Sequence, residues 1–312
     1  MAIFMQSVAG VLVILGLIIV GYFLAGWFDE QQTKLIAKLV TQVSLPCYMI
    51  VTITQKFNAK NLLQMLPDLS YPVISMLFLM VLAMVLTQVF KIEPKKHGLF
   101  ISMFFNSNTV FVGLPINQAL FGDKSIPYVL IYYMANTTLF WTLGTYFIQR
   151  DAKLKQHFNI KNTLEKIFSP PLLGFLCGVF LVLLNIKLPV FLSKDLAYLG
   201  NLTVPLSMLF IGISVKKAGL NHVTFHKENI LVIFGRFICA PLLMFLLLKT
   251  VDMPILMKQA FVLQAAMPVM TNAPVVAKLY DADADYAAVM VTETTLLALV
   301  MIPILMLLVQ NL

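Results

Sequence analysis

The sequence predicts an all-α polytopic membrane protein in which ten transmembrane helices form two inverted five-helix repeats. The first observation is composition, because 60% of the residues are hydrophobic and 12% are charged, whereas soluble domains carry about 25% charged residues. The second is a series of unbroken apolar runs of about 20 residues, the length of a membrane-spanning helix. The third is a pair of polar, proline-rich interruptions that recur at matching positions in the two halves of the chain.

The apolar runs divide the chain into ten predicted spans separated by short polar loops. They lack the alternation of apolar and polar residues that marks the strands of a membrane β-barrel. The first run begins close to Met1 without the basic segment and cleavage site of a secretory signal, so we interpret it as span 1. The spans are placed at about 6–27, 35–54, 70–90, 97–121, 126–149, 169–186, 196–215, 229–249, 256–279 and 286–310.

The distribution of basic residues predicts the orientation of these spans. Loops 1–2, 3–4, 5–6, 7–8 and 9–10 together carry 14 Lys and Arg residues, and the opposite side of the membrane carries seven. Cytoplasmic loops are enriched in Lys and Arg, so we expect this first group of loops in the cytoplasm and both termini outside. We expect a plasma membrane, of the bacterial inner-membrane type, as the location. The lipid bilayer is then a partner, and nucleic acid is not.

Matching motifs indicate that the chain is duplicated. The motif QVSLP, ending at Pro46, corresponds to NLTVP, ending at Pro205, and the two prolines are 159 positions apart. The motif GLP, ending at Pro115, corresponds to NAP, ending at Pro274, with the same separation. Because each half holds five spans, an odd number, the second half enters the membrane from the opposite face. Inverted repeats with interruptions near the membrane centre are a recurring design of secondary transporters.

We therefore predict a single membrane domain with repeat one over 1–150 and repeat two over 167–312. Polar triplets in the fifth span of each half support this division, since one begins at Asn136 and the other at Glu293. The order of the matching motifs is the same in both halves, which is what a duplication requires.

Spans 4 and 9 are the candidate ligand-binding segments of the sequence, because both are interrupted by polar residues and proline. Proline removes one helical hydrogen bond, and Asn and Thr compete for backbone groups, so we expect both spans to unwind at mid-depth, against protein or a watery cavity. Each break exposes a half-helix N-terminus with about half a positive charge. Two such ends can hold a carboxylate without a buried Lys or Arg. We expect no Lys or Arg side chain near the centre of any span. The alternative is an ordinary pair of proline kinks.

The residues of these two breaks resemble a known family. NTVFVGLPINQALFG, from Asn108 to Gly122, and QAAMPVMTNAPVVAKLY, from Gln264 to Tyr280, resemble the span 4 and span 9 motifs of the auxin efflux carrier family, which includes bacterial malate and malonate permeases. The resemblance covers the whole chain. It implies the fold shared with bile-acid sodium symporters, in which spans 4 and 9 cross. Spans 1, 2, 6 and 7 would form a scaffold, and spans 3–5 and 8–10 the moving transport unit.

The breaks and the resemblance together predict the site. The resemblance places Asn108 at the family's substrate-contacting Asn and Pro268 at its span 9 proline, although plant members have Pro-Asn where this chain has Ser107-Asn108. The hydroxyl of Ser44 could instead satisfy backbone freed by the neighbouring proline. The predicted substrate-binding residues are Asn108, Thr109, Asn136, Thr271, Asn272 and Ser44, and the predicted crossover or hinge residues are Gly113, Pro115, Pro268 and Pro274.

Three further polar residues lie inside predicted spans. A carboxylate within a span is a functional candidate by default, so Glu293, together with Gln264, is a candidate proton or sodium site. The alternative for Glu293 is a hydrogen bond between helices or a position near the cytoplasmic mouth. We expect Arg236 to extend its charged end to the cytoplasmic surface, or else to attract anions at an inner vestibule. No metal site and no cofactor are expected.

We therefore expect a secondary transporter, and not an enzyme, that moves a small organic acid anion by alternating access at the crossover. Malate, malonate and an auxin-like carboxylate are the substrates that the resemblance implies, and replacement of Asn108 by Ala is expected to reduce uptake. A sodium-coupled anion symporter of the bile-acid type is the alternative, and a lipid-modifying membrane enzyme is a distant one. Coupling to H⁺ or Na⁺ stays open. The resemblance also implies a homodimer formed through the scaffold spans.

Overall fold

The computed structural model describes residues 15–151, 168, 170–218 and 226–309, and within these residues the regular structure is entirely helical. The start of predicted span 1 and most of the basic segment 150–168 lie outside the described residues. The helices are α1 (Leu15–Trp27), α2 (Glu30–Lys56), α3 (Leu62–Val89), α4a (His97–Phe105), α4b (Leu114–Phe121), α5 (126–151), α6 (Pro170–Leu183), α7 (Val190–Gly200 and Thr203–Ala218), α8 (Lys227–Leu248), α9a (Ile255–Ala265), α9b (Ala273–Leu279) and α10 (Ala284–Val309). The ranges of α2, α5 and α8 each include a π-turn, and a further π-turn, Thr109–Gly113, directly precedes α4b.

Six stretches of helix in the described residues are long and apolar enough to cross a membrane. They coincide with α2, α3, the broken segment Pro94–Phe121, α7, α8 and α10, and α1, α6 and α9a are shorter apolar helices. The helices follow one another in the predicted order, while the ten-span count and the inverted repeat stay predictions. Burial distinguishes the broken segment, since 94% of its most apolar stretch is enclosed by protein, against 28% for α3. Span 4 therefore lies at the centre of the molecule.

One hydrophobic cluster joins α3, α4a, α5, α8, both parts of span 9 and α10. Its centre holds large aromatic side chains, among them Phe100 and Phe104 of α4a and Phe261 of α9a. A second cluster packs α2 and α6 against α4b and α5. The first cluster draws on the same spans that we predicted as the transport unit, and whether these spans move together stays a prediction.

Both predicted breaks are present in the structure. The first half of span 4 ends at Phe105, after which Asn106 is extended, with φ −97° and ψ 146°, and helical structure resumes at Thr109. The first half of span 9 ends at Ala265, and its second half begins at Ala273. The two unwound segments touch, because the backbone N–H of Asn108 donates to the carbonyl of Pro268 over 2.8 Å.

The unwinding of span 4 precedes its proline. Pro115 lies in the first turn of α4b, and Pro274 lies in the first turn of α9b. Proline is tolerated at the start of α9b, because the N–H groups of a first turn have no partner within the helix. Of the four predicted hinge residues, only Pro268 lies within an unwound segment. Pro274 starts the second half of span 9, and Pro115 directly follows the π-turn Thr109–Gly113 with which the second half of span 4 begins.

The first half of span 4 is capped from a neighbouring helix. The carboxylate of Asp151, at the end of α5, accepts the backbone N–H groups of Gly98 and Leu99, each over 2.8 Å. Burial raises the pKa of Asp151 from its ordinary value of 3.8 to about 6, and the two backbone N–H donors oppose this rise. A carboxyl group at the predicted cytoplasmic end of the molecule thus titrates well above the usual Asp range.

We expect the unfolding free energy to fall as the pH rises from about 4 to about 6, because over this interval the folded state binds more protons at Asp151 than the unfolded state does. Below this interval the contribution is fully present, and above it the contribution is lost. Thermal denaturation of the purified protein over a pH series measures this slope. Asp151→Asn should flatten it, whereas Asp195→Asn, at an exposed position, should not; equal slopes in all three proteins would contradict the assignment.

Candidate functional site

A cavity of about 220 Å³ lies where the two unwound segments meet. Its wall contains the start of the second half of each broken span, one face of α5, the π-turn of α2 and the start of α6. The lining residues are Thr41, Gln42, Asn108, Thr109, Val110, Phe111, Tyr133, Thr137, Trp141, Pro170, Pro171, Met270, Thr271 and Asn272. Sites for drug-sized ligands measure about 300–1,000 Å³, so the cavity suits a smaller ligand.

Two buried polar groups on this wall have no hydrogen-bond partner among the described residues. The side-chain oxygen of Asn108 accepts the backbone N–H of Phe111 over 3.2 Å, which leaves its Nδ2 group unpaired. The hydroxyl of Thr137 is also unpaired, and both side chains are at most 3% exposed. An unsatisfied buried donor costs about 1–3 kcal/mol, so either group would be stabilised by an acceptor oxygen that came within hydrogen-bonding distance.

Four of the predicted substrate-binding residues, Asn108, Thr109, Thr271 and Asn272, line the cavity. Ser44 does not, although Thr41 and Gln42 of the same π-turn do. Ser44 itself is 1% exposed and lies on the buried side of that turn. The π-turn therefore presents other residues to the cavity than the one that we expected.

Asn136 lies behind the cavity wall. Its Nδ2 donates to the carbonyl of Ser107 and its Oδ1 accepts the backbone N–H of Ser107, each over 2.9 Å. A side-chain amide thus replaces the backbone partners that residue 107 lost when span 4 unwound. Thr294 of α10 supports the break in span 9 in a similar way, because its hydroxyl accepts the N–H of Val269 over 3.1 Å. In this arrangement Asn136 positions the wall rather than forming part of it.

The cavity also contains residues that the sequence reasoning missed. Tyr133 and Trp141 line it from α5, four residues before and four residues after Thr137. Residues four apart share one face of a helix, so extending the periodicity from Thr137 would have found both. Two aromatic side chains add apolar surface to the cavity wall.

The two candidate ion-binding residues lie away from the cavity wall. Gln264 is fully buried, and its Nε2 group is 3.4 Å from the carbonyl of Thr109. It packs against Gly113, where an added Cβ would overlap the side-chain amide of Gln264. Glu293 accepts a hydrogen bond from Asn229 of α8 over 3.0 Å, which matches the interhelical alternative. No metal-binding group of three or more His, Cys, Asp or Glu residues occurs in the described ranges.

Arg236 contradicts our expectation. The side chain was expected to extend to the cytoplasmic surface, but it is fully buried. Its guanidinium donates to the carbonyl of Met267 over 3.0 Å and to that of Phe104 over 3.1 Å. The expectation that Lys and Arg are absent from the centre is therefore wrong as well, since an arginine contacts both broken spans.

Local sequence around Arg236 permits this close contact. Arg236 lies in a π-turn, Gly235–Cys239, which widens α8 at this point; such turns are frequent at functional sites. At Gly235 an added Cβ would overlap the ring of Phe104. The absence of a side chain at 235 lets α8 pack directly on α4a, and the arginine reaches the breaks.

Residues 3–306 match the family model described as "Membrane transport protein". The chain belongs to this family. The resemblance to the auxin efflux carrier family is confirmed, and the protein is a multi-pass membrane protein. It is 28% identical to an uncharacterized transporter of Methanocaldococcus jannaschii, over 94% of this chain and 95% of that protein. It is 24% identical to an uncharacterized transporter of Methanothermobacter thermautotrophicus, over 97% of this chain and 98% of that protein.

A second cavity, of about 460 Å³, adjoins the first in this transporter. The two share Thr41, Phe111, Thr271 and Asn272. Three lysines and one glutamate line the second cavity, so its wall is basic. The lining residues are Glu30, Thr33, Lys34, Ala37, Lys38, Thr41, Phe111, Phe210, Ser214, Lys217, Thr271, Asn272 and Val275. We name this cavity the basic vestibule.

Proposed function

We propose that this transporter carries a small organic acid anion, and that the anion binds in the 220 Å³ cavity between the two breaks. The observation that supports this most directly is the pair of unpaired polar groups, Asn108 Nδ2 and the Thr137 hydroxyl, on the cavity wall. Carboxylates accept hydrogen bonds and donate none when ionised, so such an anion would satisfy both. Asn272 and Thr271 face the same space from span 9.

The size and lining of the cavity favour a small anion over a sterol-sized one. The volume lies below the range of about 300–1,000 Å³ that holds drug-sized ligands. Tyr133 and Trp141 provide an apolar surface, and the breaks provide donors. A short carboxylic acid such as malonate or malate, or a small aromatic acid, matches this combination of donors and apolar surface.

The basic vestibule supports a route for the anion. Lys34, Lys38 and Lys217 lie on its wall, near the ends of α2 and α7 that we predict to face the cytoplasm. Lys34 pairs with Glu30 on the same wall over 2.6 Å, so the other two lysines leave the wall with a net positive charge, and a positively charged cleft raises the local concentration of anions. We propose that the described conformation opens toward the cytoplasm through this vestibule. Alternating access then requires the unit of spans 3–5 and 8–10 to slide against spans 1, 2, 6 and 7, which carries the cavity toward the outer face.

Uptake of labelled carboxylates into proteoliposomes tests this function, after a thermal-shift screen of mono- and dicarboxylates has chosen the label. Thr137→Val removes one donor and keeps the side-chain shape, so we expect the apparent affinity to fall about ten- to hundredfold, the value of one hydrogen bond to a charged group. The matched control is Thr145→Val on the same helix, whose buried hydroxyl bonds only within α5. Equal affinity of the Thr137→Val variant and the wild type, or no uptake of any carboxylate, would contradict the proposal.

A further inference from the structure

Arg236 places a fixed positive charge on the side of the breaks where the first half-helices end. Its guanidinium forms four hydrogen bonds to three backbone carbonyls: those of Met267 and Phe104, already described, and that of Ala265. The side chain has no measurable exposure. Within the described ranges it takes part in no salt bridge, so its charge is balanced by carbonyl groups rather than by a carboxylate.

The three carbonyls have one feature in common, since none has a partner within a helix. Phe104 lies in the last turn of α4a, Ala265 is the last residue of α9a, and Met267 lies in the unwound segment that follows. The last four carbonyls of a helix lack intrahelical partners, and each helix C-terminus carries about half a negative charge. Two such ends meet at Arg236, so the single positive charge of the guanidinium offsets about one negative charge.

In secondary transporters with broken spans, unwound carbonyls and half-helix C-termini coordinate the coupling Na⁺. In this protein the equivalent groups are occupied by Arg236, whose charge also repels a second cation. A guanidinium stays protonated in proteins, so the charge cannot leave at ordinary pH. The opposite ends of the breaks, at Asn108 and Asn272, line the anion cavity. At the crossover, hydrogen-bond donors therefore line the anion cavity, while the partial negative charge of the carbonyl groups is neutralised by Arg236.

We propose that Arg236 is a built-in counter-ion that fills the place of a coupling cation at the crossover, so that this protein, if it carries anions as proposed above, does so without binding sodium there. A single arginine bonds to the carbonyl groups of both broken spans. The helix that corresponds to α8 in the first repeat is α3, and its only charged residue, Asp68, lies near its beginning. The positive charge is thus supplied by one repeat only, and it reaches both broken spans because they meet at the crossover.

The test measures the melting temperature of the purified, substrate-free protein as Na⁺ replaces choline at constant ionic strength. We expect no Na⁺-dependent shift in the wild type or in Arg236→Lys, which keeps the charge. Arg236→Gln removes the charge and leaves the carbonyl ends in place. We expect this variant to melt at a lower temperature and to gain a saturable rise in melting temperature with Na⁺.

A saturable Na⁺-dependent rise in the wild type would overturn the proposal, and so would an Arg236→Gln variant that folds but does not respond to Na⁺. Should Arg236→Gln fail to purify as folded protein, the wild type and Arg236→Lys decide, since both must be insensitive to Na⁺. No substrate is present, so the result is independent of anion transport. Uptake of the labelled carboxylate in Na⁺ and in choline buffers then shows separately whether the proposed function holds.

Discussion

Asn108→Asp is expected to abolish anion uptake while the protein stays folded. The substitution keeps the oxygen that accepts the N–H of Phe111 and so preserves the cap at the start of the second half of span 4. It replaces the unpaired Nδ2 donor on the cavity wall with a second carboxylate oxygen. The anion then loses a charge-assisted hydrogen bond and meets a negative charge instead, so we expect a loss of about a hundredfold or more in uptake.

Labelled carboxylate uptake into proteoliposomes measures this effect, and size-exclusion chromatography with thermal denaturation checks that the variant is folded. The control is Asn201→Asp, which makes the same change of charge at an exposed position outside the cavity. Uptake by Asn108→Asp at the rate of the control would show that the anion binds elsewhere. Because the cap is retained, loss of uptake in a folded variant reports on the cavity and not on the helix.

Arg236→Met is expected to cause a large loss of stability. Methionine fills much of the space of the arginine stem, but it leaves the carbonyls of Phe104, Ala265 and Met267 without the donors that they have in the folded protein. Each buried carbonyl left unsatisfied costs about 1–3 kcal/mol, so we expect the unfolding free energy to fall by about 3 kcal/mol or more. That is a large part of the roughly 5–15 kcal/mol that a folded protein has in total.

Thermal denaturation of the detergent-purified variants measures this loss. Arg150→Met is the matched control, because Arg150 is the only other arginine in the chain and its side chain is exposed. Surface substitutions usually change stability by less than about 0.5 kcal/mol, so the control should melt close to the wild type. An Arg236→Met variant as stable as the control would show that the carbonyl ends find other donors, such as water.

Local chemistry made the breaks predictable. Clusters of proline and asparagine disfavour a continuous helix, so the residues around Asn108 and Pro268 could be identified from the sequence alone. Helix periodicity could have added Tyr133 and Trp141 to the site, since it relates them to Thr137 without reference to other helices. The point of unwinding in span 4 was harder to predict, because Pro115 fits a first turn as readily as a break.

The partners of the polar side chains depend on the packing of helices that are distant in the chain. Asn136 resembled a cavity residue because it is a polar group inside a span, but its amide replaces the backbone partners of Ser107, which is 29 positions away. Arg236 resembled a residue near the surface because it is about two turns from a helix end. The position of Arg236 along its own helix did not predict the carbonyl groups of other helices that lie beside its guanidinium.

The sequence by itself determined that this protein is a membrane transporter with two broken helices and that polar residues gather at the breaks, because hydrophobicity and the backbone chemistry of proline and asparagine are properties of short segments. The tertiary structure decided which of these residues face the cavity and which support it. It also placed Arg236 at the carbonyl ends of both breaks. The reason is geometric: helix ends that lie more than 100 residues apart in the chain meet only after packing, and the absence of a side chain at Gly235 allows that contact.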